Sequence, residues 1–269
     1  PNNYICLDNK TSGACSSSSL LFRIIGLFDE EYSSDGTSSS GTKKLLKIID
    51  TNNFGGTSGK VWNSGGTNNW SNASLKTELN GTYLTTLLGI SNVNSKLGTA
   101  IVSSKWHLGG ASKSNYETLT AEGIYTEERS TSAIYSGNPV SIYAKVGLIY
   151  SSDYGYATVG GTITNKAGCR EQALYIWGSS SNSDCNNNDW VYKSQSISWG
   201  SNKTEWLLSP YSSDSSKSIV LYLTGLVNID GASVVHNKFA VRPTFYLDSS
   251  ILKIVGTGDG SSSNPYRVG

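Results

Sequence analysis

Four cysteines set the tightest constraint on this chain because they fall in two local pairs. Cys6 and Cys15 bound "CLDNKTSGAC", and Cys169 and Cys185 bound "CREQALYIWGSSSNSDC". Both segments are Ser-, Asn- and Gly-rich loops, and closing a loop of this size contributes roughly 3 kcal/mol in the chain-entropy view. Four cysteines allow three connectivities, and the local one is expected. Zinc ligation needs close CxxC or CxxH spacing, which the sequence lacks, so no metal is expected. Two structural disulfides imply an oxidising compartment, through secretion or at a cell surface.

Composition agrees with that placement. Only 15% of the 269 residues are charged, while 7 Trp and 16 Tyr supply apolar area for a core. Ser, Gly, Asn and Thr are abundant, as in a β- and loop-rich extracellular domain rather than a helix-rich enzyme. The formal net charge of +1, from 21 basic and 20 acidic residues, gives no long-range field for nucleic acid or an anionic membrane. Neither partner is expected for this domain. No run approaches the roughly 20 apolar residues that span a bilayer. The chain has no Met and starts at Pro1, so any anchor is expected upstream, in an N-terminal segment outside this sequence.

Along the chain, "YICL" and "LLFRIIGLF" predict an opening hairpin closed by the first disulfide, with "KKLLKIID" as a third strand. In "WSNASLKTELNGTYLTTLL", Leu75, Leu79 and Tyr83 recur every four residues. This predicts a helix capped by Ser71 or Asn72, with Gly81 placed to split it. Short helices are expected in "SNVNSKLGTAIVSSKW" and "TLTAEGIYTEERS", a buried strand over 144–150, and a capped helical turn in "SSDYGYATVGG". Residues 165–201 read as polar loop carrying Trp177, Trp190 and Trp199. The strands "EWLLS", "SIVLYLTG", "LVNID" and "FAVRPTFYLD" follow, then a terminal hairpin in "ILKIVGTGDGSSSNPYRV". No internal repeat or linker interrupts residues 1–269, which predicts one domain of α+β class with antiparallel sheets, a few short helices and long loops.

Enzyme signatures are absent. "GTSSSGTKK" lacks the Lys directly after its second Gly that a phosphate loop needs. There is no HExxH or GxSxG, and the only histidines are His107 and His236. Asp153, Glu205 and Asp230 are the carboxylates for which acid/base work can be argued, but nothing in their spacing selects them over caps and turn formers. "NSDCNNND" alternates oxygen side chains like a calcium loop, yet lacks the central Gly and final Glu. Sequons start at Asn9, Asn69, Asn72, Asn80 and Asn202 and matter only where the source glycosylates. No catalytic residue and no cofactor is assigned.

The motifs "NNYICLDN…LLFRIIGLFD", "KWHLGG", "GLIYSSDYGYAT", "NNDWVY", "EWLLSP" and "FAVRPTFYLD" with "GTGDGSSSNPYRV" cover nearly the whole chain in order. They resemble a family of exported, pilin-like bacterial surface proteins. The "EWLLSP" to "VRPTFYL" block resembles the core of the C-type lectin-like fold shared with formylglycine-generating-enzyme relatives. Those relatives use cysteines to carry a metal centre, whereas both cysteine pairs here lie in polar loops outside that block. The resemblance implies paired N- and C-terminal strands and a ligand-binding face in the last strands and loops. In some such proteins a retroelement diversifies that face by mutating adenines.

The candidate face spans 206–248, with ligand contacts at Tyr211, Ser213, Asp214, Ser216, Tyr222, Asn228, Asp230, His236 and Asn237. Val220, Leu226, Val241 and Phe245 would hold one compact antiparallel sheet beneath them, packed by Trp206 and Leu208, with Arg242 as a structural anchor. Mixed Tyr, Ser and Asn suit recognition: Tyr gives contact area at low entropic cost, and short polar groups adapt. The expected function is non-catalytic recognition or adhesion, with a surface protein or glycan of a host, microbe or phage as partner. An enzyme on the same fold (an oxidase or glycan-active protein) and a structural fibre subunit are the alternatives. An adenine-targeted history makes a direct prediction. Across isolates, substitutions in codons 211–239 will be confined to adenine positions around a constant "VRPTFYL" frame; evenly drifting codons would exclude it.

Overall fold

Tyr4–Cys6 (β1) is too short to persist alone and is completed by Leu21–Ser33 (β2), antiparallel, with Ile5 opposite Phe22. Thr42–Asp50 (β3) runs antiparallel along β2, with a bulge between Ile24 and Gly26. The Cys6–Cys15 disulfide closes the β1–β2 connection, as expected. The computed structural model describes residues 2–111, 115–134, 137–160, 165–177, 183–193, 204–222, 224–228, 233–234 and 236–269.

The expected helix is present but widened. Ser74–Glu78 (α1) and Leu84–Leu88 (α2) are joined by one π turn, Leu79–Tyr83, that contains Gly81. Glycine therefore loosens the helix without splitting it. Ser71 and Asn72 do not cap it. Asn69 instead accepts from Ser71 N at 3.0 Å, at the head of a 3₁₀ turn over Trp70–Asn72. The Asn80 carboxamide donates to Val146 O and accepts from Lys145 N and Val146 N. That sequon is committed to structure.

Leu97–Ala100 (α3) precedes Ser103–His107 (β4), and Ala121–Glu128 (α4) is capped by Thr120. Ser141–Ala144 (β5) pairs with β4, and Val146–Gly147 (β6) follows. The single strand expected over 144–150 thus ends at Gly147. Leu148, Ile149 and Tyr150 run buried into Ser151–Ala157 (α5). Residues 165–193, expected to be loop, hold Lys166–Arg170 (α6), a 3₁₀ turn at Leu174–Ile176, Ser183–Asn187 (α7) and Trp190–Lys193 (α8). These are too short to show a period. Asn165 caps α6 through Gly168 N, Asp189 caps α8 through Val191 N and Tyr192 N, and the Cys169–Cys185 disulfide ties α6 to α7. Trp177 and Trp190 are buried, while Trp199 lies outside the described residues.

Glu205–Pro210 (β7), Ser218–Leu221 (β8) and Val227–Asn228 (β9) form a three-stranded antiparallel sheet. Thr244–Asp248 (β10) was expected beside them but sits in the large sheet, between β3 and β6. Its residues are buried on both faces, as a central strand requires. Ile254–Val255 (β11) and Tyr266–Val268 (β12) make the terminal hairpin. β12 also pairs with β1, in parallel, joining the two ends of the chain. Among the described residues the large sheet runs β11-β12-β1-β2-β3-β10-β6, with β4 and β5 attached through β2. Helices and mostly antiparallel sheets make the fold α+β.

Arg242 is the anchor that its place before Pro243 suggested. Its Nε lies 2.9 and 3.1 Å from the two Glu205 carboxylate oxygens, and Nη2 donates to Glu205 Oε2 (2.8 Å) and Val191 O (3.0 Å). Both side chains are 1% exposed. The pair ties β7 and α8 to the segment that leads into β10. Arg242→Met would leave the Glu205 charge buried opposite an apolar chain, at a cost of about 3–5 kcal/mol. Urea unfolding should show that loss; a change under about 1 kcal/mol, typical of surface pairs, would contradict this role.

Candidate functional site

Two regions of the surface carry the chemistry that recognition needs. The first is the tip of the β7–β8 hairpin. Asp214 closes its turn by accepting from Ser216 N (2.9 Å) and Ser216 Oγ (2.6 Å). Asn68, from a neighbouring loop, points its Nδ2 at three carbonyls of this turn: Tyr211 at 2.7 Å, Lys217 at 2.8 Å and Asp214 at 3.2 Å. Val234 N donates to Ser216 O, and Ser233 N to Asn237 Oδ1, so the 233–237 turn lies against the first one. Trp62 Nε1 to Leu207 O and Trp206 Nε1 to Lys60 O fix the loops behind it.

This geometry sorts the expected ligand residues. Ser213, Asp214, Ser216, His236 and Asn237 gather at the tip, with Ser213 and His236 exposed. Tyr211 does not project. It is 4% exposed and packs in the second hydrophobic cluster beside Ile219, because the hairpin's inward positions continue into the turn. Tyr222 lies at the opposite end of β8, in a turn where Tyr222 N donates to Leu226 O. Asn228 pairs with Val220 from β9, the outer strand beside β8. Asp230 lies outside the described residues. Of the frame residues, Val220 is in the small sheet, Phe245 in the large one, and Leu226 only half-buried. Trp206 and Leu208 are fully buried, as expected.

Gly225 permits the far turn. Its φ is +85°, and a Cβ there would stand 2.4 Å from Asn186 Nδ2. Its carbonyl accepts from the buried Tyr154 hydroxyl.

The second region is a cleft of about 560 Å³ between β2, α4, α5 and α8, within the size of small-molecule sites. Ile25, Phe28, Tyr125, Tyr156, Val159 and Trp190 line it, and Asp153 forms part of its floor. One sign of it is local to the chain. Tyr154 and Tyr156 stand two apart on a helix and cannot face the same way, so burying the first turns the second outward. Tyr156 is 37% exposed, Tyr125 38% and Val159 53%.

The cleft floor rests on a buried charge cluster. Lys47 Nζ lies 2.5 Å from Asp153 Oδ2, which also accepts from Tyr150 N at 2.8 Å and so caps α5. Burial lowers the Lys47 pKa, and it raises that of Glu30. Glu128 accepts from Ser152 N (3.2 Å), Ser152 Oγ (2.5 Å) and Ser209 Oγ (2.9 Å), and burial pushes it up to about 7. Glu128 does not line the cleft. The remaining acid/base candidate, Glu205, is held by Arg242.

Among the described residues, Cys6, Asp8 and Cys15 form the one cluster with metal-ligand proximity. Its sulfurs are bonded to each other and Asp8 pairs with Arg267 at 3.0 Å, so the chemistry present is a disulfide beside an ion pair. The stretch that resembled a calcium loop folds as α7 with its oxygens turned apart. Asn186 donates to Thr224 O, Asn188 to Asp184 O, and Asp189 caps α8. No helix among the described residues is long and apolar enough to cross a membrane. Comparison with family models, characterised proteins and solved structures yields no match.

The raised Glu128 sets a pH dependence. Its folded value of about 7 exceeds its unfolded 4.5, so its stabilising contribution is full below pH 4.5 and is lost as pH rises through 7. The span corresponds to a loss on the order of 3 kcal/mol. Asp50, pushed up to about 6 by burial, adds a loss of the same sign over lower pH. Glu128→Gln should therefore gain on wild type as pH rises from 5 to 8, in denaturant titrations at each pH. A difference that stays flat with pH would refute the assignment.

Proposed function

We propose that this chain is a non-catalytic recognition domain of C-type lectin-like type, displayed outside a bacterial cell on its surface or a pilus. Its ligand meets the tip formed by Ser213–Ser216 and His236–Asn237. The observation that carries this reading is how the tip is held. Its backbone is held from behind by Asn68, by the backbone at Ser233–Val234 and by the tryptophans, while the Asp214 and Asn237 side chains close the turns themselves and Ser213, Ser215 and His236 are exposed. A frame of that kind tolerates exchange of the outward residues, which is what a diversified or adaptable binding face requires.

The chemistry of the tip suits recognition more than turnover. Its residues line none of the cavities described for this surface. A polar patch outside those cavities fits a protein partner, presented by a host, microbe or phage, better than a small substrate. The two disulfides fit the oxidising environment such display entails. The order of motifs along the chain supports kinship with exported, pilin-like surface proteins, and with those whose final strands are diversified by a retroelement.

The test uses positions that are exposed and outside the frame. Ser215→Arg with His236→Ala should leave thermal stability within about 0.5 kcal/mol. It should also cut adhesion of the labelled protein to a panel of bacterial and mammalian cells by about tenfold or more. Tyr222→Ala, at the far end of β8, should leave adhesion unchanged. Equal adhesion by the tip variant and wild type would rule out the tip as the binding face.

A further inference from the structure

The cleft beside α5 is separate from the tip and has its own chemistry. Its walls are aromatic and aliphatic, with Phe28, Tyr125, Tyr156, Val159 and Trp190 facing one space. Past Val159 and Trp190 it continues into a shallower hollow of about 420 Å³, bordered by Asn187, Asn188 and Lys193. Two buried carboxylates edge this groove with an oxygen to spare. Asp153, 7% exposed, takes both of its hydrogen bonds on Oδ2, and Oδ1 accepts nothing from the described residues. Asp189, fully buried at the hollow, accepts two amides on Oδ1, and its Oδ2 has no partner among the described residues.

These features select the ligand. A purely apolar molecule would strip water from Asp153 Oδ1 and return no hydrogen bond, which is costly. An anionic ligand would approach Asp153, and a cationic one would meet Lys166 and Lys193 at the rim with Arg23 behind. What remains is a neutral molecule with apolar faces and hydroxyl donors. A pyranose has that form: C–H groups for aromatic rings and O–H groups for a carboxylate. Guanidiniums already brace the rings, Arg129 over Tyr125 at 3.6 Å and Arg170 over Tyr156 at 4.8 Å. The length of the groove exceeds one ring. We propose that it binds a neutral oligosaccharide, one ring packing into the corner that the perpendicular Tyr125 and Tyr156 rings form, with a hydroxyl donating to Asp153 Oδ1 and the chain continuing past Trp190. This site stands independently of the tip.

The experiment screens the intact protein against immobilised neutral and acidic oligosaccharides. Hits are then followed by calorimetry and Trp fluorescence, with the free neutral oligosaccharide as probe. Wild type should bind neutral members at micromolar to millimolar concentration. Tyr125→Ala with Tyr156→Ala should weaken binding at least about tenfold. Tyr125→Phe with Tyr156→Phe, which keeps both rings, should retain it, and Val159→Arg should block it. Matching thermal unfolding of the variants separates loss of the site from loss of the fold. Overturning results would be no neutral hit at millimolar concentration, a preference for acidic members only, or undiminished binding by the Ala double variant.

Discussion

Lys47 places a positive charge on the central strand β3, at 1% exposure, where an unpaired ammonium could not remain. Asp153 resolves this, at 2.5 Å. The rings of Tyr150, Tyr246, Trp106 and Phe28 surround the ammonium at 4.4 to 5.8 Å, so that quadrupoles add to the ion pair. Much else follows from where Asp153 must be. It is the third residue of α5, so the helix has to start over Lys47, and the same carboxylate caps that start by accepting from Tyr150 N. Placing α5 there carries Ser152 to Glu128 and turns Tyr156 toward the cleft. One electrostatic requirement in the sheet therefore sets the position of a helix and the floor of a candidate site.

The parts of this architecture that were legible in the sequence are those encoded locally. Alternation in "LLFRIIGLF" and "KKLLKIID" marks β2 and β3; the four-residue spacing of Leu75, Leu79 and Tyr83 marks the helical run; the short cysteine loops mark both disulfides. Sheet membership was not legible. "FAVRPTFYLD" announces a strand, but nothing within it says that β10 pairs with β3 and β6 rather than with β7 and β8. Pairing is decided by surfaces distant in sequence. The short helices of 165–193 escaped for a related reason. Four or five residues complete about one turn, and their stability comes from caps, a disulfide and tertiary packing instead of amphipathic pattern.

The candidate face illustrates the same limit. A run of Tyr, Ser, Asp and Asn over 211–239 reads as one surface only while the strands are imagined without their turns. Reversal at Asp214 and again near Gly225 sends Ser213 and Tyr222 to opposite ends of β8, and the inward alternation of β7 carries Tyr211 into the core. His236 and Asn237 return to Ser213 because the backbone of 233–234 bonds to Ser216 and Asn63. The groove was still less visible. Phe28, Tyr125, Tyr156 and Trp190 come from four elements spread over most of the chain, and none carries a motif.

The groove also gives the second disulfide a meaning beyond compartment. Its outer wall is built on α7 and α8, helices of five and four residues that could not persist alone. Among the ties that hold that wall are the Cys169–Cys185 bond, the Asp189 cap, the Arg242 bond to Val191 O, and Arg23, whose guanidinium sits 4.4 Å over Trp190 and 4.5 Å over Tyr4. Closing a 16-residue separation removes conformational freedom from the unfolded segment, which in the chain-entropy view is worth roughly 3 kcal/mol. The disulfide thus adds to the Val159 N to Asn188 O and Arg242 Nη2 to Val191 O bonds that hold Trp190 beside Val159. The pairing of cysteines seen first in the sequence thereby stiffens one wall of a groove seen only in the fold.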